Sequence, residues 1–185
     1  MPFPWVTPAP AVLPHLDPVR QRPGWADDLG NCRERLLEAW DEDTIYRGPL
    51  DAPLENARPS RGQCGVSSAW LIEQLLDRVD GSKLAYCYGQ VSLGSTQLLT
   101  SHCWVEVVGD SYDQRWVIDF TADQIEALRR YEVLCWPHDE LLERLTINYD
   151  SSISRLDPIE LSNDLVQKRL DILKANLRAR DISAG

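Results

Sequence analysis

The chain has 185 residues, 43% hydrophobic and 26% charged, with a formal net charge of −10, the profile of one ordinary globular domain with a sizeable core. That acidic balance argues against a broad phosphate-binding face, which rests on Lys and Arg, and so against nucleic acid as a partner. No apolar run approaches the ~20 residues needed to span a bilayer. The start Met1-Pro2-Phe3-Pro4-Trp5 lacks a basic segment and an apolar signal core, so the expectation is a cytoplasmic protein with no membrane partner.

Seven of the twelve prolines fall within residues 2–23. No helix runs through such a stretch, and residues 1–26 read as an extended, proline-rich arm lying over the domain surface, with Phe3, Trp5 and Val12 as candidate pins. No two of these prolines are three apart, so the PxxP ligand pattern is absent. The remainder, 27–185, reads as a single domain. Its first helix is expected over 27–40, where Leu29, Cys32, Leu36 and Trp40 recur at helical spacing and Asp27 and Asp28 sit at the favourable end. The connection from Asp41 to Arg61 has no periodicity and three prolines, and a loop of this length frames clefts in many compact domains.

A second helix is expected from Cys64 to about Asp80-Gly81, apolar on so many sides that it belongs at the centre of the fold. Strands follow at 84–91, 100–108 and 115–120, the last two forming a hairpin around residues 109–114. Thr121-x-x-Gln124 has the form of a capping box for a short helix from Ala122 to about Arg130, which accounts for Gln124. A final helix is expected from Pro158 to Arg180. Its stripe of Val166, Leu170, Leu173 and Leu177 packs on the parent domain, or else supports a homodimer. The order describes an α+β domain.

The five cysteines, Cys32, Cys64, Cys87, Cys103 and Cys135, are odd in number and form no CxxC pair, which reads as free thiols rather than a disulfide framework. Only His102 and Cys103 are close enough in sequence to suggest a metal. Neighbours on a strand point to opposite faces, so no metal site is expected.

Three residues stand out chemically. Cys64 opens an apolar helix, where the dipole and the unpaired amides of the first turn favour thiolate. Those amides, and the side chain of Gln63, could also hold a developing oxyanion. Taken alone, a cysteine at such a place is more often structural, and His102 within a strand is more often a satisfied core residue. Asp119, in Trp116-Val117-Ile118-Asp119-Phe120, is costly to bury without a partner. A hairpin turning at 109–112 places it directly opposite His102, and a two-residue shift leaves the two diagonal on one face. Nucleophile, base and orienting acid then form one coherent set: Cys64, His102 and Asp119.

At these residues the sequence resembles the papain-like and transglutaminase-like thiol enzymes, and more closely the YunG-like family of small bacterial proteins. The family pattern has a Trp and a nearby Thr, a Gly-Gln-Cys helix start, a His-bearing strand, Asp-Leu-Thr-x-x-Gln and a C-terminal Arg-Tyr-x-x-Leu helix. Its counterparts here are Trp40 and Thr44, Gly62-Gln63-Cys64, His102, Asp119-Phe120-Thr121-Ala122-Asp123-Gln124 and Arg169-Leu170-Asp171-Ile172-Leu173. Phe120 replaces Leu, Leu170 replaces Tyr, and the proline arm is an addition. The resemblance implies a papain-like or transglutaminase-like fold, with a helix opened by Cys packed on an antiparallel sheet. It adds Trp40 and Thr44 to Gln63 as candidate substrate contacts, with a loop-fixing hydrogen bond the alternative for Thr44. It names no substrate.

The resulting expectation is a thiol-dependent acyl-transfer enzyme acting by amide hydrolysis, deamidation or transamidation on a peptide, protein or small amide, without a cofactor. A binding module that retains the fold is the alternative, and a redox or metal-handling thiol protein is a further rival.

Overall fold

The computed structural model describes residues 11–47, 58–109 and 114–183. Helix α1 (Leu29–Ala39) and helix α2 (Cys64–Leu75) precede strands β1 (Leu84–Leu93), β2 (Thr96–Val108), β3 (Arg115–Asp119), β4 (Leu134–Pro137) and β5 (Ile147–Leu156). A helical segment, α3 (His138–Glu140) with a π turn to Leu145, separates β4 from β5; α4 (Pro158–Leu161) and α5 (Gln167–Ser183) close the chain. The five strands form one antiparallel sheet in the order β4-β3-β2-β1-β5. The molecule is therefore α+β, with α2 packed on the sheet.

Strand alternation divides the core into two layers. Tyr86, Cys103, Val105, Val107, Trp116 and Ile118 face α1, α2 and α5. The stripe Val166, Leu170, Leu173 and Leu177 completes that layer, so the apolar face of α5 is consumed within the chain and is not left for a second copy. Cys87, Trp104, Val117, Trp136 and Tyr149 face the opposite way, against the 122–131 segment and Leu141 and Leu145. Leu36 and Trp104 are fully buried, and each such side chain contributes roughly 1.5–3 kcal/mol by leaving water.

Residues 11–16 of the arm lie against the 127–131 segment. Leu13 N donates to Ala127 O at 2.9 Å, His15 stacks on Tyr131, and Leu16 N donates to the Tyr131 hydroxyl at 2.9 Å. Phe3 and Trp5 lie outside the described residues, as does most of the loop between Arg47 and Arg58.

Several expectations are corrected. Helix α2 ends at Leu75, where Arg78 N and Val79 N both turn onto Leu75 O, and Asp80 captures Ser82 N to start a separate 3-10 turn at Gly81. The helix expected after Thr121 is two 3-10 turns, and Thr121 does not cap them; its hydroxyl donates to Asp119 Oδ1 at 2.9 Å instead. The Gln124 amide donates to Ser60 O at 2.6 Å. The last helix is broken at 162–166, where Asp164 Oδ1 accepts from Val166 N. Strands β4 and β5 were not expected at all. In β5 only Ile147 and Tyr149 are fully buried, so the strand carries no sustained apolar alternation.

One close approach matters for the site. Gly89 on β1 pairs with His102 on β2, and a Cβ at Gly89 would lie 1.9 Å from Asp150 O of β5. Only glycine lets β5 come this near to the strand that backs His102.

Candidate active site

A tight turn delivers Cys64. Gly62 adopts φ +75, and a Cβ there would meet Ile45 Cγ2 at 2.7 Å, so glycine is required to swing the chain into α2. Gly62 O accepts from Tyr46 N at 2.9 Å, and Gln63 N donates to Ser60 O at 3.0 Å. No side chain caps α2, which leaves its first-turn amides facing the region of the thiol.

His102 and Asp119 come from adjacent strands. The β2–β3 ladder runs from Val108↔Arg115 to Val105↔Ile118, which continues to Trp104 opposite Asp119. His102 is thus the diagonal neighbour of Asp119, the two-residue shift allowed for above. The two side chains still meet: His102 Nε2 lies 2.6 Å from Asp119 Oδ2, with both residues 1% exposed. Asp119 is saturated with donors. Its Oδ1 accepts from Thr121 N at 2.8 Å and the Thr121 hydroxyl, and its Oδ2 accepts from the Tyr149 hydroxyl at 2.9 Å as well as from the ring.

With Nε2 committed to Asp119, Nδ1 is the ring nitrogen left for Cys64, whose thiol interacts with His102. The thiol has a second partner: the side chain of Cys103 hydrogen-bonds to it, and so does the Cys103 backbone amide. The Tyr86 hydroxyl in turn donates to Cys103 Sγ at 3.1 Å. His102 and Cys103 project to opposite faces of β2, and the Cys64 thiol interacts with both.

The protonation states follow from these contacts. The Cys103 hydrogen bond holds the Cys64 pKa well below the usual 9.0 against the opposing effect of burial, and the His102 bond and charge add to it. Burial draws the His102 ring down, but the Asp119 charge and hydrogen bond, with Cys64, outweigh it and push the ring up to about 10. Burial opposes ionisation of Asp119, yet His102 and Thr121 hold its pKa below the ordinary carboxylate value. These shifts all favour a Cys64 thiolate beside a His102 imidazolium on an ionised Asp119. The remaining cysteines move the other way: burial raises Cys32 and Cys87 and pushes Cys135 up to about 12, while the Cys64 contact raises Cys103.

The other candidate residues serve the frame. Gln63 is 1% exposed and its amide nitrogen donates to Asp41 O at 3.2 Å, so the nitrogen is directed at the loop. Thr44 is fully buried, with its hydroxyl donating to Asp41 O at 2.9 Å and accepting from Asp41 N, which is the loop-fixing arrangement. Trp40 Nε1 donates to Ser67 Oγ on α2 at 3.0 Å, and the Arg33 guanidinium lies 4.3 Å from its ring centroid. Arg33 Nε also donates to Phe120 O at 2.7 Å. Together with Gln124 on Ser60, these contacts tie the turn before Cys64 to the turn after Asp119.

Sequence reasoning missed Cys103, Tyr86, Thr121 and Tyr149 as site residues. Cys103 carried a signal, being adjacent to His102, but it was weighed only as a metal ligand. Tyr149 lies on a strand without a readable pattern. No group of three or more side chains able to hold a metal occurs among the described residues, and no helix among them is long and apolar enough to cross a membrane. An open depression lined by Trp25, Arg78, Lys83, Val107 and Trp116 lies toward the other end of β2 and includes none of the three residues. Compared with known proteins, the chain matches no family model, no curated protein and no solved structure.

Proposed function

We propose that the protein is a thiol-dependent acyl-transfer enzyme of papain-like or transglutaminase-like architecture, with Cys64 as nucleophile, His102 as acid and base, and Asp119 as the group that orients the ring. One observation carries this reading: the line Asp119–His102–Cys64, in which the thiol is depressed and the imidazole is raised. Asp119 raises the ring, and Cys103 together with His102 lowers the thiol, so each shift depends on a neighbour in the line. Strongly perturbed groups that depend on one another are what nucleophilic catalysis requires.

In this mechanism the Cys64 thiolate attacks the carbonyl carbon of an amide and forms a C–S bond. The carbonyl oxygen takes up the negative charge against the first-turn amides of α2. The imidazolium gives its Nδ1 proton to the departing amine nitrogen as the C–N bond breaks, leaving a thioester. Neutral His102 then takes a proton from water or an acceptor amine, which attacks the thioester and releases Cys64 as thiolate. Thr121 and Tyr149 keep the Asp119 carboxylate fixed throughout. All steps use groups of the chain, and none needs a cofactor.

The test is a screen of peptide and small amide substrates for release of amine or exchange of acyl acceptor, with Cys64→Ala and His102→Ala as controls. Turnover abolished by both substitutions supports the reading. Turnover that survives Cys64→Ala contradicts it.

A further inference from the structure

We propose that Arg169 reads a carboxylate on the acyl substrate, so that the enzyme acts on amides carrying a negative charge near the scissile bond. The proposal rests on Cys64 being the nucleophile, and it concerns a different group. Arg169 reaches from α5 to the start of α2: a Cβ at Gly65, the residue after Cys64, would lie 3.4 Å from its Nη2 and 3.2 Å from the Tyr86 hydroxyl. Its charge is felt at Cys103, the direct partner of Cys64. The guanidinium therefore lies beside Gly65, the residue that follows Cys64, and near Cys103.

What sets Arg169 apart is the absence of an acceptor. Its Nη1 is buried and has no hydrogen-bond partner, and no ion pair among the described residues includes it. Two other buried charges of this acidic chain are paired. Glu106 has Arg155 and Arg115, and Arg33 has Asp123 and Phe120 O. Asp164, close enough to act on Tyr86, turns its carboxylate to Val166 N instead. A buried charged donor without an acceptor is costly, and the planar fork of guanidinium matches a carboxylate. Tyr46 covers the guanidinium at 5.2 Å from its ring centroid while itself 61% exposed. That gives a flat, solvent-accessible wall against which an incoming anion can displace solvent.

The experiment compares two alkylating reagents that differ in charge. Rates for Cys64 with iodoacetate and with iodoacetamide are measured at a pH where the thiolate is fully formed, in wild type, Arg169→Gln and Arg169→Lys, with N-acetylcysteine as reference. The iodoacetate-to-iodoacetamide ratio in wild type is expected to exceed the reference by about tenfold, the value of one charge-assisted contact. It should collapse to the reference in Arg169→Gln and be partly retained in Arg169→Lys, which keeps the charge without the fork. Thermal unfolding of each variant identifies any loss of fold, and a folded Arg169→Lys suffices for the comparison. A wild-type ratio equal to the reference, or one unmoved by Arg169→Gln, overturns the proposal while leaving Cys64 as nucleophile. Failure of Cys64 to react faster than the other cysteines with either reagent removes the reading beneath it, and the proposal with it.

Discussion

His102 Nε2 and Asp119 Oδ2 are 2.6 Å apart although their residues sit diagonally on β2 and β3. A diagonal pair on one face of an antiparallel sheet is within reach of a long or aromatic side chain, and here the distance is closed by imidazole and carboxylate reaching toward each other. The contact uses up Nε2 and leaves Nδ1 as the ring nitrogen free for Cys64. The direction of the whole charge line therefore follows from sheet register.

The ion pair has a distinctive pH signature. His102, with its folded pKa raised to about 10 from 6.5, contributes stability that is intact below pH 6.5 and lost as the pH rises through about 10. Cys64, with its folded pKa lowered below 9.0, contributes stability present above that value and lost as the pH falls. Between those ordinary values the folded site holds one proton, on His102, and the unfolded chain also holds one, on Cys64. The pair is then silent, and it adds no slope to stability against pH. Cys64→Ser removes one side of the balance, so stability should fall with rising pH above 6.5, by at most about 1.4 kcal/mol per unit. Urea unfolding at several pH values from 6 to 9 measures this. Parallel profiles for wild type and Cys64→Ser would show that no such pair exists.

Asp119→Asn tests the orienting acid. Both carboxylate oxygens accept two hydrogen bonds from donors, so an amide NH2 faces a donor whichever way it turns. The expected cost is about 1–3 kcal/mol of stability. Loss of the charge also lets the His102 pKa fall and the Cys64 pKa rise toward 9.0. Turnover should fall, by less than the roughly 10⁴ seen for the aspartate of a serine triad. The acid limb of Cys64 alkylation should move to higher pH. An unchanged pH profile would remove Asp119 from the site and reduce the triad to a dyad.

How much of this was legible in the sequence follows from burial cost. A cysteine opening an apolar helix, a histidine inside a strand and an aspartate among Trp, Val, Ile and Phe are each out of place locally, and only their meeting explains all three. Thr121 and Gln124 show the opposite case. Their spacing suits a capping box, but the stronger demand of a buried carboxylate claims the Thr121 hydroxyl and the loop before α2 claims the Gln124 amide. Tyr149 was invisible because β5 exposes Asp150, Ser152 and Ile153, breaking the period that marks a strand. The 3-10 turn at Gly81 and the break before α5 turn on single side-chain captures by Asp80 and Asp164, which periodicity does not register.

Gly89→Ala tests the frame without touching the chemistry. A Cβ at 1.9 Å from Asp150 O cannot be accommodated, and β5 must separate from β1 where it carries Tyr149 to Asp119. The expected result is a loss of several kcal/mol of stability, at the upper end for a point substitution, read as a lower denaturant midpoint. Gly24→Ala, where nothing lies within 4 Å, is the matched control and should leave the midpoint within about 0.5 kcal/mol of wild type. Equal midpoints for the two variants would contradict the β1–β5 packing.

The most direct test of the central claim is brief exposure of the native protein to iodoacetamide at neutral pH, followed by peptide mapping of all five cysteines. Cys64 alone should be labelled early, because its thiolate is stabilised by Cys103, His102 and the start of α2, while Cys32, Cys87, Cys103 and Cys135 all have raised pKa values. His102→Ala should slow that labelling, since the imidazolium no longer holds the thiolate. Uniform labelling, labelling led by another cysteine, or a Cys64 rate indifferent to His102→Ala would contradict the assignment of Cys64 as an activated nucleophile.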